Sequence, residues 1–202
     1  MKNFLVFVSF VIKTLVVSSS PKDKKRKRKE ALIMDFLELA RKRYSVRSYR
    51  ADPVEREKLE RILEAARLAP TAVNIQPFQL LVIPTAGRKS ELLQIYNKKW
   101  FVQPPVVICA CGIPGKNWVR KDGKNYNDVD VAIVMDHLIL AATAEGLGTC
   151  WIGAFDPGAA KELLNLPPGV EPIAFTPVGY AADRPPAKKR KPLSELVRYV
   201  NW

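Results

Sequence analysis

Two short stretches decide the fold: Arg43-Tyr44-Ser45-Val46-Arg47-Ser48-Tyr49 and Ala69-Pro70-Thr71-Ala72-Val73-Asn74-Ile75-Gln76-Pro77-Phe78. The first carries Arg43, Ser45 and Arg47 at every second position, so in an extended segment these side chains project on one side. Because a guanidinium donates in a planar fork that matches phosphate oxygens, the pattern indicates a phosphate site. The alternative interpretation is a basic loop paired with nearby acids.

The second stretch ends a helical pattern at Pro70 and places Asn74 and Gln76 just before an apolar strand. Amide side chains both donate and accept hydrogen bonds, so they suit the edge of a planar heterocycle. These two amides could also be ordinary turn residues. A phosphate site together with a ring contact points to a nucleotide-like cofactor.

The bulk composition predicts one domain with a sizeable core, because the chain has 202 residues of which 48% are hydrophobic. Its three cysteines do not make an even disulfide framework. A reducing compartment, the cytoplasm, is therefore expected.

Residues 1–33 differ from the rest and carry a surplus of seven positive charges within the formal net charge of +13. An apolar stretch, 4–17, precedes a polybasic run, 22–29. Three interpretations stay open: translation starting at Met34, a membrane anchor or basic tail, and a cleaved signal. The predicted domain occupies residues 34–202.

Helices alternate with strands along this domain, which indicates an α+β or α/β fold. The predicted helices are 34–43, 54–68, 91–99, 128–145 and 157–164, and the predicted strands are 79–83, 106–111, 149–152 and 173–180. The helix 128–145 is apolar on almost every face, so it should be buried on all sides. In a chain of this size, such burial suggests a central helix shared with a second subunit.

Few side chains of this sequence are candidates for catalytic residues. His137, the only histidine, lies inside the apolar helix, where a structural role is expected. Cys109 and Cys111 are expected to point to opposite faces of a strand, and no cysteine and histidine residues have zinc spacing. We therefore predict no metal and no catalytic side chain, with a bound cofactor supplying the chemistry.

Taken in order, these features resemble the nitroreductase family of flavin-dependent oxidoreductases, from about Asp35 onwards. The resemblance rests on both opening stretches, on 146–153 after the apolar helix, on 177–180 and on 190–193. It implies a three-layer fold with a mostly antiparallel central sheet flanked by helices. It also implies an intertwined homodimer with a long buried interface helix and two FMN sites between the subunits.

The resemblance assigns the site residues in three groups. The phosphate and ribityl end falls to Arg43, Tyr44, Ser45 and Arg47, joined by Lys188 and Arg190; the other subunit contributes Pro70, Thr71, Ala72, Asn74 and Gln76; Ile152 and Gly153 lie along the isoalloxazine ring. A backbone N–H of the last pair should face the N5/O4 edge, and Arg47 should stabilise charge near N1/O2. Two positions depart from the family pattern. Ala72 stands where a small hydroxyl residue is common, so one hydroxyl contact is lost, and Ile152 stands where some members carry glutamate.

The implied reaction passes a hydride from NADH or NADPH through FMN to nitroaromatic, quinone or similar acceptors. One alternative keeps the fold but changes the reaction to reductive dehalogenation or flavin fragmentation. Another is a basic protein that binds nucleic acid or an anionic surface through 22–29 and 188–191. No base-reading module is evident, so a nucleic-acid partner is not expected.

Overall fold

A computed structural model describes residues 35–200. The predicted N-terminal extension, with its apolar stretch and polybasic run, lies outside the described residues. Six α-helices are assigned: α1 (Phe36–Lys42), α2 (Arg56–Arg67), α3 (Lys89–Ile95), α4 (Asn127–Ala144), α5 (Pro157–Leu163) and α6 (Leu193–Leu196). The strands are β1 (Phe78–Pro84), β2 (Val106–Gly112), β3 (Gly148–Thr149) and β4 (Glu171–Gly179), and short 3₁₀ helices cover Ala72–Asn74 and Lys99–Val102.

The four strands form one antiparallel sheet in the order β1-β2-β4-β3. Alternate residues of β2 enter two separate cores. Ile108 packs with α2 and α4, whereas Val107 packs with α3 and α5 on the other face. Helices therefore cover both faces of the sheet, and the predicted α+β, three-layer architecture is confirmed.

The two strand cysteines correct one expectation. Cys109 and Cys111 lie in the same core, with their sulfur atoms 3.5 Å apart. The expectation of opposite faces was wrong because residues i and i+2 of a strand share a face. Both thiols are fully buried.

The long apolar helix, α4, is only partly covered within one chain. Its inward side is buried, but Val129 remains 37% exposed and Asp136 is exposed. An open groove of about 460 Å³ follows this stripe and is lined by Asp128, Val129, Ala132, Ile133, Asp136 and His137. Burial on every side would therefore need something beyond the described residues.

Most element boundaries differ from the sequence prediction by a few residues; the helix predicted over 91–99, for example, spans Lys89–Ile95. The helix expected from Val54 begins at Arg56, because the backbone of Glu55 is still extended. The strand expected over 149–152 is limited to Gly148–Thr149, and Ile152 meets β4 through an isolated bridge. Among residues 35–200, no helix combines the length and apolar character needed to cross a membrane.

Candidate cofactor site

The arginine segment 43–47 is fixed to the β3 edge of the sheet. Ser45 forms a parallel bridge with Thr149, and the Val46 N–H donates to the Thr149 carbonyl at 2.9 Å. Val46 itself is only 1% exposed. A Cβ at Gly148 would lie 2.7 Å from Val46 Cγ2, so only glycine permits this close approach. The sheet edge thus determines where the neighbouring arginines project.

A cavity of about 210 Å³ joins this segment to the arm 184–192, which follows β4. Its lining residues are Arg43, Tyr44, Ser45, Arg47, Pro186, Ala187, Lys188, Lys189 and Arg190. The structure therefore brings together the whole group that the sequence assigned to phosphate, although the two parts lie far apart in the chain.

The cationic side chains of this cavity form no ion pair with an acidic residue among the described residues. Within residues 35–200, no carboxylate forms an ion pair with the side chains of Arg43, Arg47, Lys188 or Arg190. Burial lowers the pKa of Lys188, and the neighbouring Arg43 and Arg190 lower it further. No ion pair among residues 35–200 supports the interpretation as a loop paired with acids, and the excess of positive charge favours an anion.

Asp183 holds the two sides of the cavity together, and sequence reasoning missed it. Its Oδ2 accepts from the Arg47 N–H at 2.8 Å, and its Oδ1 accepts from the Tyr44 hydroxyl at 3.0 Å. Burial and this carboxylate raise the pKa of Tyr44 to about 12, so the phenol remains a neutral donor. No local sequence signal identifies a contact across 139 positions.

Lys188 has a role that the sequence did not predict. Its ammonium donates to the Ala40 carbonyl at 3.0 Å and also to the Arg41 carbonyl, both in the last turn of α1. Carbonyls at a helix C-terminus lack intrahelical partners and favour a cation. Lys188 therefore fastens the arm to α1 in addition to lining the cavity.

The cysteine behind the cavity does not add negative charge. Burial raises the pKa of the Cys150 thiol, an effect that Arg47 and Ser45 oppose. The Cys150 side chain is 3% exposed. A thiol with a raised pKa is neutral at pH 7, so it does not repel an anion.

The Ile152-Gly153 pair contributes differently from expectation. The Ile152 N–H donates to the Phe175 carbonyl at 2.9 Å, and its side chain is buried in the core. This N–H is therefore not available to a ligand. Gly153 is exposed, and its N–H has no acceptor among the described residues. Gly153 follows Thr149 by four positions, so the two lie at most about 13 Å apart along the chain.

The loop Pro70–Gln76 is strained. Val73, Asn74 and Gln76 have φ values of 46°, 58° and 55°, in the left-handed region that non-glycine residues rarely adopt. The Gln76 N–H donates to Thr71 Oγ1 at 3.0 Å, and the Ala72 N–H donates to Asp130 Oδ1 at 2.8 Å. Asn74 and Gln76 are exposed, as a ligand contact requires.

One chain does not bring this loop to the arginine cavity. Asp130, which holds the loop, lies near the start of α4, whereas Thr143 near its end lines a small cavity with Arg43. Asp130 and Thr143 are thirteen positions apart on the helix, a rise of about 20 Å. The loop also precedes β1, at the edge of the sheet opposite β3. The two groups of predicted site residues thus occupy opposite ends of a single subunit.

Known proteins provide an independent comparison. The model of the Nitroreductase family matches residues 40–100 and 88–180. The chain is 30% identical over 165 residues to the FMN reductase (NAD(P)H) of Bacillus subtilis strain 168, covering 73% of this chain and 66% of that protein.

Solved structures agree with this assignment. A nitroreductase family protein from Clostridium difficile 630 superimposes with a TM-score of 0.77 at 41% identity, over 84% of this chain and 100% of that chain. A structure from Exiguobacterium sibiricum 255-15, described as a nitroreductase in complex with FMN, gives a TM-score of 0.74 at 23% identity, covering 83% and 98%. With the three-layer fold, these matches show that the chain belongs to the nitroreductase family.

Proposed function

We propose that this protein is an FMN-dependent oxidoreductase that takes a hydride from NADH or NADPH and reduces nitroaromatic, quinone or similar acceptors. The observation that carries the proposal is the 210 Å³ cavity, whose arginine side chains form no ion pair within residues 35–200 and lie beside a backbone segment hydrogen-bonded to the sheet. Similarity to a Bacillus subtilis protein named FMN reductase supports the choice of flavin. Bound FMN would supply the hydride-transfer chemistry.

The chain's own residues would bind and orient the cofactor. Arg43, Arg47 and Arg190 would hold the phosphate, while Ser45 offers a hydroxyl donor on the same side. Gly153 would direct its N–H to the N5/O4 edge, because that donor has no acceptor among the described residues. The space beside Gly153 is open enough for a planar ring: apart from its chain neighbours, the described atom nearest to the position of a Cβ there is Trp151 Nε1, at 4.0 Å.

The proposed site is completed by a second subunit. Support comes from the separation of loop 70–76 from the arginine cavity and from the half-exposed stripe of α4. Pairing two chains along this stripe would bury Val129 and Ile133 and bring each loop to the partner's cavity. Pro70, Thr71, Ala72, Asn74 and Gln76 would then contact the flavin held by the other chain.

FMN binding tests the proposal directly. The purified protein titrated with FMN should quench flavin fluorescence at one FMN per chain, and NADH or NADPH should bleach the complex. Arg43→Ala should weaken binding by roughly 1.5–3 kcal/mol, the loss expected for a charged hydrogen-bonding partner. Arg41→Ala removes the same charge two residues away, outside the cavity, and serves as the matched control.

Two outcomes would overturn the proposal. A protein that stays colourless and shows no quenching in excess FMN lacks the proposed cofactor. Equal losses of FMN affinity in Arg43→Ala and Arg41→Ala would mean that Arg43 acts only through the net charge of the protein and not by contacting the phosphate. A panel of nitroaromatic and quinone acceptors, assayed with each nicotinamide, then identifies the preferred substrates.

A further inference from the structure

We propose that Asp130 is a positioning residue, which holds the loop Thr71–Gln76 in the strained shape that contacts the flavin. The inference rests on the proposed function, because the loop is assigned to the cofactor only there. Asp130 belongs to α4 and is neither in the loop nor in the arginine cavity. Its effect on the flavin would therefore be transmitted through the loop backbone.

The loop needs an external restraint. Val73 is β-branched and 72% exposed, yet its φ is 46°. A left-handed conformation is unfavourable for a β-branched residue, and exposure means that core packing does not enforce it. Such backbone persists only where surrounding contacts determine it. The restraint must therefore come from the few hydrogen bonds that the loop makes.

Asp130 supplies the bond at the point where the strain begins. Its Oδ1 accepts from the N–H of Ala72, the residue immediately before Val73, at 2.8 Å. Thr71 Oγ1 accepts from the Gln76 N–H at 3.0 Å and closes the other end. The Thr71 bond is internal to the loop, so it fixes the loop's shape without tying it to the fold. The Asp130 bond is the side-chain link from the loop to a buried helix.

The burial of Asp130 favours this role over ordinary helix stabilisation. An acidic residue in the first turn of a helix favours the helix dipole, and the exposed Asp128 already provides that charge. Asp130 is 1% exposed, and its Oδ2 has no donor among the described residues. A buried carboxylate with an unsatisfied oxygen disfavours folding, so its presence is better explained by the bond to Ala72.

The same turn of α4 also packs on the strand next to the loop exit. The Asn127 side chain occupies the space where a Cβ of Gly112 would stand. Gly112 pairs with Phe78, the first residue of β1 after the loop. The N-terminal turn of α4 therefore bonds to the start of the loop at Ala72 and packs on the β2 residue that pairs with β1 just after the loop.

Variants on both sides of the hydrogen bond test the proposal. Asp130→Ala removes the acceptor, and Ala72→Pro removes the donor at a helix-start position that tolerates proline. Each should lower FMN affinity about tenfold and change the visible circular dichroism of bound flavin. Asp130→Asn keeps an oxygen acceptor and should recover most of both signals. Glu57→Ala, which removes an exposed acidic residue from the first turn of α2, should match the wild type.

The double variant makes the test independent of general destabilisation. If Asp130 acts through Ala72, Asp130→Ala with Ala72→Pro should lose no more affinity than either single change. Wild-type affinity and flavin dichroism in both folded single variants would overturn the inference, as would additive losses in the double variant. Failure of the wild type to bind FMN would instead refute the proposed function. Far-UV circular dichroism checks that each variant is folded. If Asp130→Ala does not fold, Ala72→Pro alone tests whether loss of this hydrogen bond lowers FMN affinity.

Discussion

The arginine segment 43–47 and the loop Thr71–Gln76 were both predicted to bind one cofactor, but they are stabilised in contrasting ways. The arginine segment is extended and hydrogen-bonded to the sheet edge, with Val46 buried beneath it. The loop has three left-handed residues and is hydrogen-bonded to α4 through the buried carboxylate of Asp130. One half of the proposed site is thus regular and the other is strained.

The difference suggests that the two regions contribute differently to cofactor affinity and to flavin reactivity. A phosphate site binds more tightly when its donors are already rigidly placed, because few groups have to be ordered on binding. A loop held in an unfavourable shape can be moved by small changes in one contact. We therefore expect changes at the arginine segment to act mainly on affinity. Changes at the loop should act on both affinity and the flavin's surroundings.

Mixed dimers give the largest expected effect, because they test whether the arginine segment and the loop of one site come from different subunits. One chain carries Arg43→Glu with Arg47→Glu, the other carries Asn74→Ala with Gln76→Ala, and two different tags isolate the heterodimer. If each site takes its halves from different subunits, one site of the heterodimer is intact and a single FMN binds per dimer. FMN stoichiometry, measured by absorbance after gel filtration, checks this.

The inverse heterodimer is the control. A chain carrying all four changes, paired with a wild-type chain, should bind no FMN because each site then contains one damaged half. If each site instead lay within one chain, the two results would be exchanged. That outcome would refute the two-subunit site.

A substitution at Gly148 tests the arginine segment 43–47, with a smaller expected effect. A Cβ there would stand 2.7 Å from Val46 Cγ2, so Gly148→Ala should destabilise the fold by about 1–3 kcal/mol and displace the arginine segment. Denaturant unfolding and FMN titration should both register the change. Gly158→Ala, in α5, is the matched control, since the nearest atom lies 3.3 Å away on the Asp156 side chain. Equal effects of the two substitutions would contradict the proposed packing constraint.

The smallest expected effect is a pH dependence at Lys188. Burial and two arginines lower the pKa of this lysine in the free protein, and a bound phosphate would raise it again. FMN affinity should therefore fall as pH rises through the lowered pKa and level off above the pKa of the complex. The fall should be at most about tenfold for each pKa unit of difference between the two states.

Titration above pH 7.5 avoids the second ionisation of the phosphate itself, near about pH 6. Lys188→Arg keeps the charge over this range and should remove the slope. A slope that persists in Lys188→Arg would assign the pH dependence to another group.

Sequence patterns predicted the parts of this molecule that depend on local periodicity. The alternation of Arg43, Ser45 and Arg47 placed all three in one cavity, and the apolar run located α4 to within one residue at each end. The same rule was misapplied to Cys109 and Cys111, whose spacing puts them on one face.

The features that the sequence did not reveal depend on contacts between distant residues. Nothing local marks Asp183 as the bond between two walls of the cavity, or Asp130 as the acceptor for Ala72. A left-handed Val73 contradicts residue preference, so propensity predicts against it. The use of the Ile152 N–H by Phe175 likewise appears only once the strands pair.

The link between Tyr44 and Asp183 also separates two stages of folding. These residues are 139 positions apart, and the cavity needs the arm beyond Asp183. All four strands precede this arm in the chain, so the sheet can pair without it. The phosphate cavity, in contrast, forms only once the arm has packed against the arginine segment.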